Sequence, residues 1–275
     1  MKLGTTNLPR GRLGAAGSLR AHWPEYLMEA AALGLFMVSA GVFTTLLNSP
    51  ASPWSAAVPS AAARRALVGV AMGATALALI YSPWGKRSGA HMNPAITLTF
   101  LRLGKIPPWD AFYYIVFQTL GGVAGVVLTA AFVGPPFTRP PVDFVVTVPG
   151  PAGPLAAFAG EFVISCLMMG MIVGVANRRR LANFTGLFAG ILIFLFVALE
   201  SPYSGFGMNP ARTFSSALPS GIWTAYWLYL TAPLLGMLLS AQASIAWAGK
   251  DAVPCCKLHH RSTHPCIFCG RTILP

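Results

Sequence analysis

The chain has 275 residues, of which 55% are hydrophobic and only 9% are charged, and its formal net charge at pH 7 is +12. A composition this poor in charge predicts a membrane protein. The positive balance comes from scarce acid, since 19 Lys and Arg residues face only 7 Asp and Glu residues, and it suits anionic lipid headgroups. The basic residues fall between apolar runs and form no basic face interleaved with aromatic residues, which excludes nucleic acid as a partner.

Six apolar runs are long enough, at roughly 20 residues each, to cross the hydrocarbon core of a bilayer as helices. They cover residues 25–47, 62–81, 109–133, 155–176, 183–200 and 223–247. The Pro-rich segments 48–60 and 134–154 are predicted to be solvent-side connections. The first run is too long for a signal peptide and no convincing cleavage site is visible, so we expect it to be retained.

The basic residues are divided unequally between the two sides of the membrane. Four of the 19 lie on one side, namely Arg64, Arg65, Arg139 and Arg212, and the other fifteen lie on the side that both termini share. Because basic loops stay in the cytoplasm, we expect a multi-pass protein of the cell membrane with both termini cytoplasmic.

One ten-residue phrase occurs twice, as SGAHMNPAIT from Ser88 and SGFGMNPART from Ser204, with seven letters in common. The copies follow the second and fifth runs, so three helices separate them and the second copy enters from the opposite face, which makes the two halves inverted repeats. Each phrase leads into a short apolar segment, 95–101 or 211–218, that is too short to span. Each segment is predicted to be a re-entrant half-helix that is buried in protein or lines a watery cavity.

Each phrase also contains a signal for the start of a helix. Asn is a preferred N-cap and Pro a preferred first helical residue, so Asn93-Pro94-Ala95 and Asn209-Pro210-Ala211 are predicted to begin the half-helices. If the two helices meet end to end at the midplane, their positive dipole ends and both Asn amides converge on one point of a pore. A cation there meets a barrier, while a neutral molecule finds hydrogen-bond donors.

The Gly-rich stretch before each Asn is predicted to be extended backbone that turns its carbonyl oxygens toward the lumen. This ladder of acceptors is assigned to Gly89, Ala90, His91, Gly205 and Gly207.

Residues from about Glu25 to Trp247 resemble the aquaporin and glycerol-facilitator family, the major intrinsic proteins, and in particular their bacterial-type members. Two Asn-Pro-Ala boxes in inverted halves, with Arg after the second, are a very specific signal. The resemblance implies an all-α, aquaporin-like membrane fold of six transmembrane helices and two half-helices, a passive pore in every protomer, and a homotetramer. The channel domain would cover 24–248, with halves at about 24–134 and 155–248, between a cytoplasmic segment 1–23 and a Cys/His-rich cytoplasmic tail 249–275.

The resemblance also implies roles for three polar residues of the spans. Glu29 and Glu161 stand in the first helix of each half, and ionisable groups at such depth are costly and usually face the interior. In the family these glutamates brace the re-entrant loops, and Gln118 corresponds to a pore-supporting Gln. The alternative, which is stronger for Glu29, is a side chain that reaches water near the end of its span.

Arg212 is predicted to repel cations and to donate hydrogen bonds to passing hydroxyl groups or water. A structural ion pair is the alternative, although no acid lies close to Arg212 in the sequence. By gapless alignment the family's narrow filter would also contain Phe206, Val197 and Gly73.

The filter is expected to be wider and more apolar than that of a water-only channel. Phe206 resembles the aromatic wall of glycerol facilitators, no His is present near Val197, and Gly73 in place of an aromatic residue would widen the constriction. Thr213 stands where glycerol facilitators typically have Asp, which leaves the selectivity open. Gly73 also forms a small-xxx-small pair with Gly69, and close helix packing is its second interpretation.

The tail contains the segment CCKLHHRSTHPCIFCG, in which Cys256 and His259, and Cys266 and Cys269, have the two-residue gaps that suit a tetrahedral zinc site. These four residues are the candidate ligands of a structural zinc ion. The spacing between the pairs is short for a zinc finger, and the reducing cytoplasm disfavours disulfides. We therefore expect a disordered, reduced tail that lies along the membrane surface, with the zinc site as the alternative. No cofactor is expected for the pore.

The expected function is a passive channel for water and small uncharged solutes such as glycerol, which excludes ions and protons. Ammonia, urea and neutral metalloid acids are alternative solutes, and a secondary transporter is an alternative class. A transporter needs a coupling-ion site with acids at the midplane, whereas Glu29 and Glu161 already have structural roles by resemblance. The spans contain no His/Asp/Ser or metal-ligand cluster, so an enzyme is not expected.

Overall fold

The computed structural model of the protein describes residues 13–249, 252–259 and 264–271, and this part of the chain is all-α. Residues 1–12 of the predicted N-terminal segment, and the remaining residues of the predicted tail, lie outside the described residues. The helices are α1 (Ala15–Asn48), α2 (Pro53–Ala57), α3 (Ala61–Tyr81), α4 (Pro83–Ser88), α5 (Pro94–Arg102), α6 (Pro108–Val133), α7 (Pro135–Thr138), α8 (Gly153–Ala176), α9 (Thr185–Leu199), α10 (Ser201–Ser204), α11 (Pro210–Ser220) and α12 (Tyr226–Ala248).

Six of these helices are long and apolar enough to cross a membrane: α1, α3, α6, α8, α9 with the turn that precedes it, and α12. The six predicted spans are therefore confirmed. The largest difference is at α1, which begins at Ala15 and not near residue 25. The apolar run did not predict residues 15–24 as part of this helix, because polar contacts hold them against α6. His22 Nδ1 lies 2.5 Å from Asp110 Oδ1, and the Tyr26 hydroxyl donates to the same oxygen at 2.7 Å.

The packing of the helices repeats in the two halves of the chain. Helix α1 packs along α6 in the first half, α8 packs along α12 in the second, and α3 and α9 pack together between the halves. The two short helices that follow the repeated phrase cross over, since α5 packs on α12 and α11 packs on α6. Each half-helix is therefore enclosed by protein, as re-entrant backbone at membrane depth requires.

Glycine residues allow the spans to approach closely. At the crossing of α3 and α9, a Cβ added at Gly190 would lie 2.7 Å from the carbonyl oxygen of Gly73, and a Cβ added at Gly73 would contact the Gly190 carbonyl even more closely. The open side of Gly73 thus faces α9 and not a lumen. This geometry supports the packing interpretation of Gly73 and corrects its assignment to the filter.

The tail also differs from the expectation of a segment without fixed structure. Val253, Cys255, Cys256 and Leu258 are each at most 2% exposed and belong to the main apolar core. Residues 252–259 are therefore packed against the helices.

A substitution pair tests the crossing of α3 and α9. We expect Gly73→Ala to lower the free energy of unfolding by about 1–3 kcal/mol, because the new methyl group overpacks a backbone contact. Gly174→Ala is the matched control, since Gly174 lies within α8 and no heavy atom lies within 4 Å of its added Cβ. Thermal unfolding in detergent measures both, and equal melting temperatures would contradict the crossing.

Candidate functional site where the half-helices meet

Each half-helix begins at the Asn-Pro pair from which the sequence predicted it. Helix α5 starts at Pro94, and the Asn93 Oδ1 atom accepts a hydrogen bond from the Ala95 N–H at 2.8 Å. Helix α11 starts at Pro210, and Asn209 Oδ1 accepts from the N–H groups of Ala211 and Arg212 at 3.1 and 3.2 Å. Both Asn side chains therefore use their oxygen as a helix cap, so their amide nitrogens point elsewhere.

The amide nitrogens join the two halves. Asn93 Nδ2 donates to the carbonyl of Met208 at 2.8 Å, and Asn209 Nδ2 donates to the carbonyl of Met92 at 2.6 Å. Each bond runs from the cap of one half-helix to the residue just before the cap of the other, so the N-termini of α5 and α11 are held together. A primary amide has two N–H groups, and each Asn keeps one for another acceptor.

The sequence predicted extended backbone in the two loops that precede the caps, but these loops are only partly extended. Each loop has three residues in the left-handed region, with φ between 48° and 106°: Gly89, Ala90 and Met92 in the first, and Gly205, Phe206 and Met208 in the second. For a residue other than glycine this conformation costs roughly 1–2 kcal/mol. Such strain persists only when surrounding contacts enforce it.

A buried carboxylate supplies those contacts in the first loop. Glu29 is 0% exposed, which excludes the alternative in which its side chain reaches water. Its carboxylate accepts hydrogen bonds from Ser88 Oγ at 2.6 Å, from the N–H groups of His91 and Met92 at 3.1 and 2.6 Å, and from Gln118 Nε2 at 2.9 Å. Four donors thus fix the loop to α1 and α6.

The second loop has the same arrangement around Glu161, which is also 0% exposed. Its carboxylate accepts from Ser204 Oγ at 2.6 Å and from the N–H groups of Gly207 and Met208 at 2.6 and 2.5 Å. Hydrogen bonds to a charged acceptor contribute about 1.5–3 kcal/mol each, which is enough to hold the strained residues.

The sequence reasoning missed two Ser-Tyr pairs that complete these braces. The Tyr114 hydroxyl donates to the Ser88 carbonyl, and the Tyr229 hydroxyl donates to the Ser204 carbonyl, both at 2.6 Å. A signal was present, because each Ser opens the repeated phrase. Each Tyr follows its half's Asn by nearly the same number of residues in the next long helix.

Four of the five carbonyl oxygens assigned to the ladder of acceptors have no donor within the described part of the chain, and the fifth, that of Gly89, has one. Among the described residues, no donor reaches the carbonyl oxygens of Ala90, His91, Gly205 and Gly207, so they are available as acceptors. The Gly89 carbonyl instead accepts the N–H of Leu258 in the tail at 3.1 Å.

Arg212 is buried, with 8% of its surface exposed, in the first turn of α11. Its Nη1 atom has no hydrogen-bond partner, and neither ion pair within the described part of the chain involves it. The alternative of a structural ion pair is therefore unsupported. Phe206 and Val197 are buried as well, and the Phe206 ring lies 6.4 Å from that of Phe196, next to Val197 in α9.

The candidate zinc ligands are only partly brought together. The sulfur atoms of Cys255, Cys256 and Cys266 all lie within 4.8 Å of one another, and the Cys269 sulfur lies 3.5 Å from that of Cys255. His259 is not in this group, since its ring packs against Tyr81 with 4.9 Å between the ring centroids. Cys255 thus takes the place that the sequence spacing had given to His259.

Comparisons with known proteins identify the fold and the family of the chain. The aquaglyceroporin from Plasmodium falciparum has the same fold, with a TM-score of 0.68, 19% identity, and coverage of 82% of this chain and 96% of that chain. The family model of the major intrinsic proteins matches residues 18–243. The chain belongs to this family and is a multi-pass membrane protein.

Two plant relatives show the extent of the similarity. Aquaporin NIP6-1 from Arabidopsis thaliana is 32% identical over 209 residues, which cover 75% of this chain and 63% of that protein. Aquaporin NIP1-4 from Oryza sativa subsp. japonica is 38% identical over 183 residues, which cover 66% and 63%. The chain therefore spans less than two thirds of the length of these relatives.

The brace can be tested by neutralising one carboxylate. We expect Glu161→Gln to lower the free energy of unfolding by about 2–4 kcal/mol, because an amide is a weaker acceptor and its own N–H groups would face the donors of the loop. Asp143→Asn makes the same charge change in a connecting segment, where Asn tolerates the φ of 42° as well as Asp does. A similar loss of thermal stability in both variants would contradict the brace.

Proposed function

We propose that the chain forms a passive pore for water and small uncharged solutes such as glycerol, and that it has no enzymatic activity. The observation that carries this proposal is the reciprocal pair of hydrogen bonds from Asn93 to Met208 and from Asn209 to Met92. These bonds hold the N-termini of two half-helices at one point, each with an N–H group to offer. The pore needs no cofactor, and any structural zinc ion belongs to the tail.

The electrostatics of this point favour neutral molecules. The N-terminus of a helix carries roughly half a positive charge, and two such ends meet here. A cation would lose part of its hydration shell and face two positive dipole ends. A hydroxyl oxygen or a water oxygen can accept the second N–H of each Asn.

Proton exclusion follows from the order of donors and acceptors along the same path. Asn93 and Asn209 provide donors at the centre, while carbonyl oxygens of residues 90 and 91 and of residues 205 and 207 provide acceptors on the two sides. A water molecule that accepts from both Asn residues points its hydrogens outward. Water molecules on the two sides are then oriented in opposite directions, which interrupts a continuous proton relay.

The proposed filter consists of Arg212, Phe206 and Val197. Arg212 keeps 8% of its surface exposed, and its guanidinium can donate a hydrogen bond to a passing hydroxyl group there while its charge repels cations. Phe206 and Val197 offer apolar surface that suits the carbon chain of glycerol. Gly73 is not part of this filter because it lies at the crossing of α3 and α9.

A secondary transporter is disfavoured by the state of the buried acids. Glu29 accepts from four donors and Glu161 from three, all in the loops or the neighbouring helices. These carboxylates hold the fold in place, whereas a coupling-ion site needs acids that can bind and release an ion.

The proposed setting is the cell membrane, with both termini in the cytoplasm and one pore in each protomer of a homotetramer. Large apolar side chains on the outward faces of the spans, such as Leu120, Phe132 and Leu155, are exposed in the single chain. Lipid or a neighbouring protomer would cover these side chains.

A solute panel in proteoliposomes tests the function. We expect stopped-flow light scattering to show water and glycerol flux that neither saturates nor depends on a proton or sodium gradient. The buffer contains a zinc chelator, which removes metal ions that the cysteine-rich tail could bind. Fast water flux without glycerol flux would contradict the wide filter, and flux of urea, ammonia or boric acid without glycerol flux would assign one of the alternative solutes. Saturation with gradient dependence would indicate a transporter.

Replacement of the filter charge gives a sharper test. We expect Arg212→Val to increase the leak of cations or protons severalfold while water flux persists, because the positive barrier is removed and the passage widens. Arg139→Val is the matched control, since Arg139 is an exposed residue on a connecting segment. Unchanged ion leak in Arg212→Val would count against the role of Arg212.

A further inference from the structure

The C-terminal tail, defined here as residues 252–259 and 264–271, is folded against the end of the pore that we place in the cytoplasm. Cys255, Cys256, Lys257 and Leu258 form a buried run, with exposures of 1–3%. Burial of a lysine is costly unless its ammonium group is hydrogen-bonded, and Lys257 Nζ donates to the His264 carbonyl at 3.1 Å, within the tail.

That surface includes the first re-entrant loop. The Leu258 N–H donates to the Gly89 carbonyl at 3.1 Å, and His91 Nε2 lies 3.0 Å from the Cys256 carbonyl oxygen. The Cα of Lys257 lies 3.6 Å from the position of a Cβ added at Gly89. Gly89 and His91 belong to the proposed carbonyl ladder. The tail therefore uses an acceptor that a water molecule would need when it enters this half of the pore.

The tail also contacts the spans around the loop, so it crosses the mouth and does not lie beside it. Its partners belong to α1, α3, α6 and the segment after α8. They are His22 and Tyr114, whose rings lie 5.9 and 5.8 Å from that of Phe268, Tyr81 against His259, and Asn177, whose Oδ1 accepts the Cys255 N–H at 3.3 Å.

Four cysteine sulfur atoms lie near one another where the two parts of the tail meet. Cys255 and Cys256 come from its first part, and Cys266 and Cys269 come from its second. In a tetrahedral zinc site with Zn–S bonds of about 2.3 Å, the sulfur atoms lie about 3.8 Å apart. The sulfur atoms of Cys255, Cys256 and Cys266 lie at most 4.8 Å apart, which is close to this spacing. The Cys269 sulfur lies outside this group of three but only 3.5 Å from that of Cys255, so a small shift of Cys269 would complete the site.

The backbone around the second pair also suits a metal site. The Gly270 N–H donates to the Cys266 carbonyl at 2.8 Å, and Gly270 has a φ of 65°, so the chain turns tightly after Cys-x-x-Cys. Four thiolates and one Zn²⁺ carry a net charge of −2, and the buried Lys257 lies close enough to the cluster to interact with that charge. A segment this short has little apolar core of its own, so a metal ion is an effective staple.

We propose that Cys255, Cys256, Cys266 and Cys269 bind one zinc ion and that the zinc-bound tail closes the cytoplasmic mouth of the pore. Loss of zinc releases the two parts of the tail from each other and opens the path past Gly89. The closure rests on the pore proposed above, whereas the metal site does not.

Metal analysis of the purified full-length chain tests the first part. We expect one zinc ion per chain in the wild type and none in Cys266→Ser/Cys269→Ser. Cys166→Ser is the matched control and should keep its zinc, because Cys166 lies in α8, outside the cluster. Absence of zinc, iron in its place, or a disulfide among the four cysteines in non-reduced mass spectrometry would overturn the zinc site.

Water and glycerol flux in proteoliposomes tests the closure. We expect low flux in zinc-loaded wild type, a severalfold rise after a membrane-permeant zinc chelator is added, and a return to low flux when zinc is restored. Cys266→Ser/Cys269→Ser should be open under all conditions, and Cys166→Ser should behave as the wild type. Equal flux with and without zinc in a chain that binds zinc would overturn the closure and leave the channel intact.

A second variant separates closure from folding of the tail. Leu258→Pro removes the N–H that bonds to Gly89 and keeps all four cysteines. We expect it to bind one zinc ion and to conduct as strongly as the chelated wild type, and low flux in this zinc-bound variant would contradict closure through Leu258. If no variant conducts any solute with or without zinc, the proposed channel function is wrong.

Discussion

Two buried carboxylates hold the structure of the site together. Glu29 and Glu161 each accept several short hydrogen bonds from a loop whose non-glycine residues adopt left-handed backbone conformations. Without a charged acceptor, these loops would relax toward ordinary conformations, and their Asn residues would no longer face each other. Hydrogen bonds to the two carboxylates offset the backbone strain of the loops. The other features of the proposed pore, from the paired helix ends to the carbonyl acceptors, depend on this balance.

The Asn residues show how few groups are needed once the loops are fixed. Each Asn uses its oxygen to cap its own helix and one N–H to join the opposite loop, and in the proposed pore its second N–H faces the solute. The site is therefore rigid and symmetric at its centre, and no moving part is required for selectivity. Differences between the two halves come from Arg212, whose position in the first copy of the phrase is taken by Ile96, and from the tail, which follows the second half.

In the proposed closure, the tail gives the entrance that we place in the cytoplasm a property that the repeated core lacks. Its backbone occupies the Gly89 carbonyl, and in the proposed closure its folded shape depends on zinc held by four cysteine sulfur atoms that belong neither to the Asn caps nor to the filter. A change in metal occupancy at those sulfur atoms would therefore act on the pore without altering Asn93, Asn209 or the filter. The proposed closure would thus regulate a passive pore while its selectivity stays constant.

The sequence alone determined the six spans, the inverted repeat and the starts of α5 and α11, because bilayer thickness and the local Asn-Pro signal set these features. It could not determine which face of each span points inward. Lipid is as apolar as a protein core, so both faces of a span are apolar and the sequence shows no amphipathic periodicity. Gly73 shows the consequence: successive residues on a helix are about 100° apart, so a small error in alignment moves a residue from the lumen to a helix crossing. Only the tertiary structure decided that Tyr114 and Tyr229 support the loops and that the tail reaches Gly89, because these contacts join residues far apart in the chain.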